Sequence, residues 1–388
     1  MISMWARLFV LVFAALVYGQ DLPRGQIIDT VQCQMDPAQH YALYVPSNYS
    51  AARKWSAIFA FDPGARGRAG VERFQAAAEK YGYLVAGSLN SRNGPWEVSL
   101  EAAKAMMADV VQRFSIDTKR IYTAGQSGGA RVALALALDS NQIAGVFASS
   151  AGFPDEVQKS VPFPIFGKTA VDDFNYLELK ALDRVVTTPH RVVVTEGGHA
   201  WMSSETAVEA VGWMEVQAMK SGRRARDAEL LDRIFSERVA RVNALKDGLE
   251  AVLALESLAA DFQGLKDVTK FAQRAAALRN QKNVQREIAE DHLAEQREAK
   301  QTTEIYALRG ELDANPSMRG PSLERLKARV VELSRQAKSP DDSTDRRIAR
   351  RILSGFGSSF RGARDPGLQE IVTEARSWNP VAAPPDGR

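Results

Sequence analysis

A serine placed between an apolar strand-like run and a strongly helical run constrains this chain most. Residues Gly125–Gly129 read GQSGG, with the run IYTA directly before them and ARVALALAL directly after. A strand, a tight turn with a central serine and a helix together indicate a nucleophile elbow. The serine backbone is strained there, so the residues two positions away must be nearly free of side chain. A glycine-rich turn without a catalytic role can produce the same pattern. The presence of a suitably placed histidine and acid distinguishes the two.

The chain has four histidines, His40, His190, His199 and His292. His199 lies in the loop TEGGHAW, which follows the apolar run RVVV and contains two glycines. A flexible loop at a strand end can bring an imidazole to a serine on another strand. His40 and His190 lie at strand boundaries and His292 in a charged helical stretch, so we interpret these three as structural or solvated. His199 is the candidate catalytic base.

The acid comes from the segment between Ser127 and His199. An apolar run at 163–167 predicts a strand, and the pair Asp172 and Asp173 follows a short loop. A carboxylate just past a strand end can accept a hydrogen bond from the imidazole and stabilise the imidazolium. Asp173 is the first choice for the catalytic acid, Asp172 is the alternative, and Asp155 is a third, less favoured candidate.

Residues 25–220 resemble an α/β-hydrolase of the esterase and polyhydroxybutyrate-depolymerase-like group, which includes feruloyl esterases and phospholipase/carboxylesterases. The elbow GQSGG, the loop GGHAW and the opening YALYVP at 41–46 carry the resemblance. It implies an α/β fold, with a mainly parallel sheet covered by helices on both faces. The order serine, acid, histidine along the chain agrees with this arrangement. Strand-like and helix-like segments also alternate through the region, as such a sheet requires.

The resemblance also implies two amide donors for the oxyanion of the reaction. One is Gly128, the residue after the serine. Many relatives have a His-Gly turn after the third strand, but here AIFAF runs into Asp-Pro-Gly, and proline has no amide hydrogen. We therefore expect Gly64 or a neighbour to be the second donor. Trp96 and Trp201 either bind the acyl or aromatic part of a substrate or pack the walls of the site.

These residues predict a serine hydrolase that cleaves carboxylic esters, small or polymeric, with no cofactor and no metal. The segment 152–163 is too short for a large cap, which indicates an open site. A prolyl-oligopeptidase-like serine peptidase is an alternative, as is an inactive hydrolase scaffold whose remaining domain binds a protein. The 50 basic residues nearly balance the 47 acidic ones, so nothing indicates nucleic-acid binding.

The two ends of the chain differ from its middle. Residues 1–19 combine Arg7 with a short apolar run and small residues before a cleavage point, which predicts a signal peptide and a secreted or periplasmic protein. The run is too short to span a bilayer comfortably, so no stable membrane insertion is expected. Cys33 is the single cysteine, so no intramolecular disulfide can form. The proline-rich residues 379–388 predict a disordered tail.

Beyond a basic linker at about 221–226, residues 227–378 predict a separate all-α domain. Ala, Leu, Glu, Arg and Gln dominate, and apolar residues recur at helical spacing. Helices are expected at about 249–262, 268–311 and 322–338, with a final pair around 355–365. Helical hairpins, possible degenerate tetratricopeptide-like units, would suit a protein-binding module, although no regular 34-residue period is present. The alternative is an appendage that stabilises the hydrolase.

Overall fold

The computed structural model describes residues 22–314 and 316–379, so the predicted signal peptide lies outside the described residues, as does nearly all of the predicted tail. Eight strands within these ranges form one sheet. They are β1 (Ile27–Gln32), β2 (His40–Tyr44), β3 (Trp55–Phe61), β4 (Tyr83–Ser88), β5 (Ile116–Gln126), β6 (Ile143–Ser149), β7 (Ile165–Ala170) and β8 (His190–Thr195).

In the described part of the chain, five helices lie between or directly after these strands, and seven more follow. The first group is α1 (Gly67–Tyr81), α2 (Trp96–Arg113), α3 (Gly128–Asp139), α4 (Tyr176–Val185) and α5 (Ser204–Lys220). The second group is α6 (Ala228–Ala244), α7 (Leu249–Phe262), α8 (Thr269–Arg279), α9 (Lys282–Ala314), α10 (Arg319–Ala337), α11 (Thr344–Ser359) and α12 (Pro366–Arg376).

The strand order of the sheet is β1-β2-β4-β3-β5-β6-β7-β8. Strand β2 pairs antiparallel with both β1 and β4, and every pairing from β4 to β8 is parallel. Strands β3, β4, β6 and β7 are buried along their whole length, which agrees with near-continuous apolar runs in a sheet covered on both faces. This is an α/β-hydrolase fold followed by an all-α part, as the sequence predicted.

Each face of the sheet has its own hydrophobic core. Helices α2, α3 and α4 pack on one face through residues such as Met106 and Leu134. Helices α1 and α5 pack on the other, where Phe74, Trp213 and Met214 are buried. Because helices cover both faces, the loops at the carboxyl ends of the parallel strands are the accessible place for a ligand.

The all-α part has two hydrophobic clusters joined by the long helix α9. Helices α6, α7 and α8 pack together with Val216 and Met219 of α5, which makes this cluster continuous with the sheet domain. The middle and end of α9 pack with α10, α11 and α12. The single helix expected over 268–311 is two helices in the structure, interrupted between Arg279 and Lys282. None of the described helices is both long and apolar enough to cross a bilayer.

Candidate active site

Ser127 lies at the turn between the central strand β5 and helix α3, with φ 54° and ψ −124°. This is a strained conformation for a residue with a side chain. A methyl group at Gly125 would come within 2.1 Å of the Gly129 carbonyl oxygen, and one at Gly129 within 2.0 Å of the Phe61 carbonyl oxygen. Both glycines are therefore required by backbone packing, and the motif forms the tight turn that the sequence predicted.

Asp173 and His199 are hydrogen-bonded at the carboxyl ends of β7 and β8. His199 Nδ1 lies 2.8 Å from Asp173 Oδ1, and the amide of Asn175 donates to the same oxygen at 3.0 Å. The Asp173 side chain is fully buried, whereas that of His199 is 19% exposed. Burial alone would raise the pKa of Asp173, but the hydrogen bond and charge of His199 hold this pKa below its usual value.

The alternative acid, Asp172, has a different partner. Its Oδ2 lies 3.2 Å from Arg350 Nη1 of helix α11, and no hydrogen bond joins Asp172 to the imidazole among the described residues. Asp155 lies on the exposed surface of the loop after β6. Of the three candidate acids, Asp173 is the one that the structure brings together with His199.

Hydrogen bonds link the loop of His199 to the elbow of Ser127. The Ser127 amide donates to the Ser149 carbonyl oxygen at 2.9 Å. The Ser149 hydroxyl in turn accepts from the amide of Met202 at 3.2 Å, and the Ser150 hydroxyl donates to the Ala200 carbonyl oxygen at 2.9 Å. The end of β6 therefore joins the loops after β5 and β8.

Two charged side chains lie near this network, of which Lys168 is buried and Glu178 is partly buried. Lys168 of β7 donates to the Ala200 carbonyl oxygen at 3.2 Å, and burial lowers the pKa of this amine although the charge of Asp173 opposes the shift. Glu178 of α4 is paired with Arg131 at 2.8 Å, and burial raises the pKa of the Glu178 carboxyl. Within residues 22–314 and 316–379, no group of three or more His, Cys, Asp or Glu side chains is arranged to hold a metal ion.

The loop after β3 is organised around the buried carboxylate of Asp62. This carboxylate accepts from the Gly64 amide at 2.8 Å, from Arg66 Nε at 2.9 Å and from the indole of Trp201 at 2.8 Å. The amide of Ala65 donates to the Asp62 carbonyl oxygen at 3.2 Å. The structure does not support Gly64 as the second oxyanion donor, because its amide is directed at Asp62. The same carboxylate fixes the orientation of the Trp201 indole.

The loop after β4 contacts the elbow next to Ser127. A methyl group at Gly128 would come within 1.8 Å of Asn93 Oδ1, so the Asn93 carboxamide lies directly against the residue after Ser127. Trp96 begins helix α2 and is 42% exposed. The sequence indicated Trp96 as a residue of the site, but it did not indicate the approach of Asn93 to Gly128.

Helix α11 of the all-α part contacts the loop that carries the acid. The ring of Phe174 stacks on the His199 imidazole, with centroids 4.0 Å apart. A methyl group at Gly355 of α11 would lie 3.2 Å from Cβ of Phe174. Arg351 Nη1 donates to the Val171 carbonyl oxygen at 2.6 Å. The C-terminal helices therefore support the residue that packs on the histidine.

The prediction of an open site took no account of the C-terminal helices that flank the histidine. The segment 152–163 contains no helix or strand, as expected, but a cleft of about 380 Å³ lies between the His199 loop and helices α11 and α12. The helices that form this side of the cleft come from the C-terminal part of the chain, and nothing in the local sequence around the elbow indicates them.

No protein-family model and no curated protein matches this chain. Among solved structures it is similar to a thermostable esterase (18% identity, 49% of this chain and 62% of that chain, TM-score 0.37). It is also similar to the feruloyl esterase module from Clostridium thermocellum (12% identity, 48% of this chain and 86% of that chain, TM-score 0.38). A third similar structure is a thermophilic esterase from Thermogutta terrifontis (14% identity, 53% of this chain and 95% of that chain, TM-score 0.39). The fold assignment rests on the strand order and pairing of the sheet.

Proposed function

We propose that this protein is a serine hydrolase that cleaves carboxylic esters through an acyl-enzyme on Ser127. The observation that carries the proposal is the buried Asp173 carboxylate, hydrogen-bonded to His199 at the same sheet edge as Ser127. Hydrogen bonds between the Ser127, Ser149 and Ala200 segments support it, because they hold the serine and the histidine loop in one network.

In the proposed mechanism, His199 Nε2 removes the proton from the Ser127 hydroxyl as its oxygen attacks the ester carbonyl. Asp173 holds the Nδ1–H tautomer and stabilises the imidazolium that forms. The tetrahedral intermediate then collapses, the C–O bond to the alcohol breaks, and the imidazolium gives its proton to the departing oxygen. Water, activated by the same imidazole, attacks the acyl-enzyme and releases the acid and free Ser127.

The oxyanion needs two donors, and the Gly64 amide is not free to be one of them. The Gly128 amide remains the first donor, since it belongs to the residue after the nucleophile. Asn93 is the second in our proposal, because its carboxamide lies against Gly128 and a half-turn of the amide presents Nδ2 to the oxyanion. Side-chain amides serve as oxyanion donors in serine hydrolases.

A fluorophosphonate probe followed by peptide mass spectrometry tests the proposal directly. Wild-type protein should carry the adduct on Ser127 and should hydrolyse 4-nitrophenyl acetate, while Ser127→Ala should do neither. Unchanged turnover in Ser127→Ala would refute the nucleophile assignment. A protein that folds but neither reacts nor hydrolyses would favour the inactive scaffold, and cleavage of peptide amides in preference to esters would favour the peptidase.

We also propose that the protein is exported, on the basis of the signal-peptide pattern in residues 1–19. Expression of the full chain with N-terminal sequencing of the mature protein tests this. Processing near Gly19 supports export, whereas an intact N-terminus in the cytosolic fraction contradicts it.

A further inference from the structure

The cleft beside His199 has walls from both parts of the chain. The His199 loop and Phe174 form one side, and helices α11 and α12 with Trp378 form the other. Its volume of about 380 Å³ falls in the range of small-molecule sites. Phe174, Leu353 and Trp378 supply apolar surface within it.

The position of the cleft relative to the nucleophile indicates which half of an ester it receives. His199 lines the cleft, whereas Ser127 and Gly128 lie outside its lining. An imidazolium that protonates the leaving oxygen must lie beside that oxygen. The alcohol half of the substrate therefore extends on the histidine side, where this cleft lies. This step rests on the proposed function.

The charged side chains in the cleft indicate the charge of the alcohol that it binds. Asp172 is the one carboxylate among the described lining residues, and Arg350 neutralises it at 3.2 Å. Arg361 also lines the cleft, and it has no ion pair or hydrogen bond with any other described residue. Because Asp172 is paired and Arg361 is not, the lining presents a positive charge next to apolar surface.

We propose that this cleft is the leaving-group subsite of the hydrolase and that it selects alcohols bearing an anionic group such as a carboxylate. Arg361 is the residue that recognises the anion. Its guanidinium presents paired N–H donors that match a carboxylate. The aromatic and aliphatic residues of the cleft contact the carbon skeleton of the alcohol.

Two acetate esters that differ only at the far end of the leaving group test the proposal. They are 4-acetoxybenzoate, which is anionic, and 4-acetoxybenzamide, which is neutral and nearly isosteric. Both form the same acetyl-enzyme, so deacylation is common to them and a difference in kcat/KM reports the alcohol half. We expect wild type to prefer the anionic ester by about 10-fold, the size of one charge-assisted contact.

The variant Arg361→Gln should reduce that ratio to about 1. Arg364→Gln is the matched control, because Arg364 is an exposed arginine of the same loop that lines a different cavity. It should keep the wild-type ratio. Ser358→Trp places a large side chain at an exposed position of α11 that lines the cleft. It should lower kcat/KM for both aryl acetates more than for ethyl acetate, whose alcohol is small.

The outcomes separate the two proposals. Equal kcat/KM for the two aryl acetates in wild type, or a preference that survives in Arg361→Gln, overturns the anion-selective cleft and leaves the ester hydrolase intact. Absence of both Ser127 labelling and hydrolysis overturns the hydrolase, and the leaving-group subsite with it. Circular dichroism of each variant verifies that the folded state is retained.

Discussion

Replacing Asp173 with asparagine tests which carboxylate orients the imidazole. In the folded protein Asp173 Oδ1 accepts from His199 Nδ1 at 2.8 Å and from the Asn175 amide at 3.0 Å, in a fully buried position. An asparagine that turns its NH₂ towards Nδ1 forces the tautomer with the proton on Nε2, which cannot accept the proton of Ser127, and it also directs that NH₂ at the Asn175 amide. In the opposite orientation its oxygen accepts from Nδ1–H, but the neutral amide does not stabilise the imidazolium.

The expected loss is large because the effect is electronic as well as geometric. A neutral amide does not stabilise the imidazolium, and the wrong tautomer is inactive as a base. Comparable changes in a serine protease triad reduce kcat by about 10⁴-fold, which corresponds to about 5.5 kcal/mol of transition-state stabilisation at about 1.36 kcal/mol per tenfold. For Asp173→Asn we expect a fall in kcat of about 10³- to 10⁴-fold, with KM changed little.

The assay is 4-nitrophenyl acetate turnover measured beside urea unfolding of the same preparations. Asp172→Asn is the matched control, because it removes the adjacent carboxylate, whose partner is Arg350 rather than the imidazole. We expect this control to keep kcat within about threefold and to lose about 1 kcal/mol of stability at most, as for a partly exposed ion pair. A similar loss of kcat in the two variants, or more than a tenth of wild-type kcat in Asp173→Asn, would refute the assignment of the acid.

Two further substitutions probe the elbow. Gly129→Ala places a methyl group 2.0 Å from the Phe61 carbonyl oxygen, so we expect at least about 2 kcal/mol of destabilisation by urea unfolding. Gly310→Ala, where no atom lies within 4 Å, should be neutral or stabilising by up to about 1 kcal/mol, and equal effects at the two positions would contradict the packing argument. Asn93→Ala, which removes the carboxamide beside Gly128, should lower kcat by about 10²-fold with little change in KM, and a fall below threefold would remove Asn93 from the oxyanion site.

Much of the fold could be predicted because its signals are local. The apolar runs at β3, β4 and β6 are continuous, as expected for strands buried on both faces, and helix-forming segments alternate with them. Helix α7 occupies Leu249–Phe262, the same range that the sequence indicated. The elbow could also be predicted, because the glycines at 125 and 129 are needed by backbone contacts within and next to the turn.

The surroundings of the site could not be predicted, because they depend on contacts between distant residues. Asp172 and Asp173 are adjacent in the sequence and chemically equivalent, and only the position of Arg350 gives Asp172 a separate partner. The Gly64 amide could have been free, but the buried carboxylate of Asp62 accepts its hydrogen bond. No local sequence pattern indicates that Gly355 packs closely against Phe174.

The contact between helix α11 and the loop that carries Asp172 and Asp173 affects the order in which the protein folds and unfolds. Asp172 and Arg350 are 178 residues apart in the chain, so closing this contact costs considerable loop entropy and is expected late in folding. Elements joined by few contacts also open before the whole molecule unfolds. During gradual heating helices α10 to α12 should therefore separate from the sheet first, and selectivity for the alcohol should disappear while the central sheet is still intact.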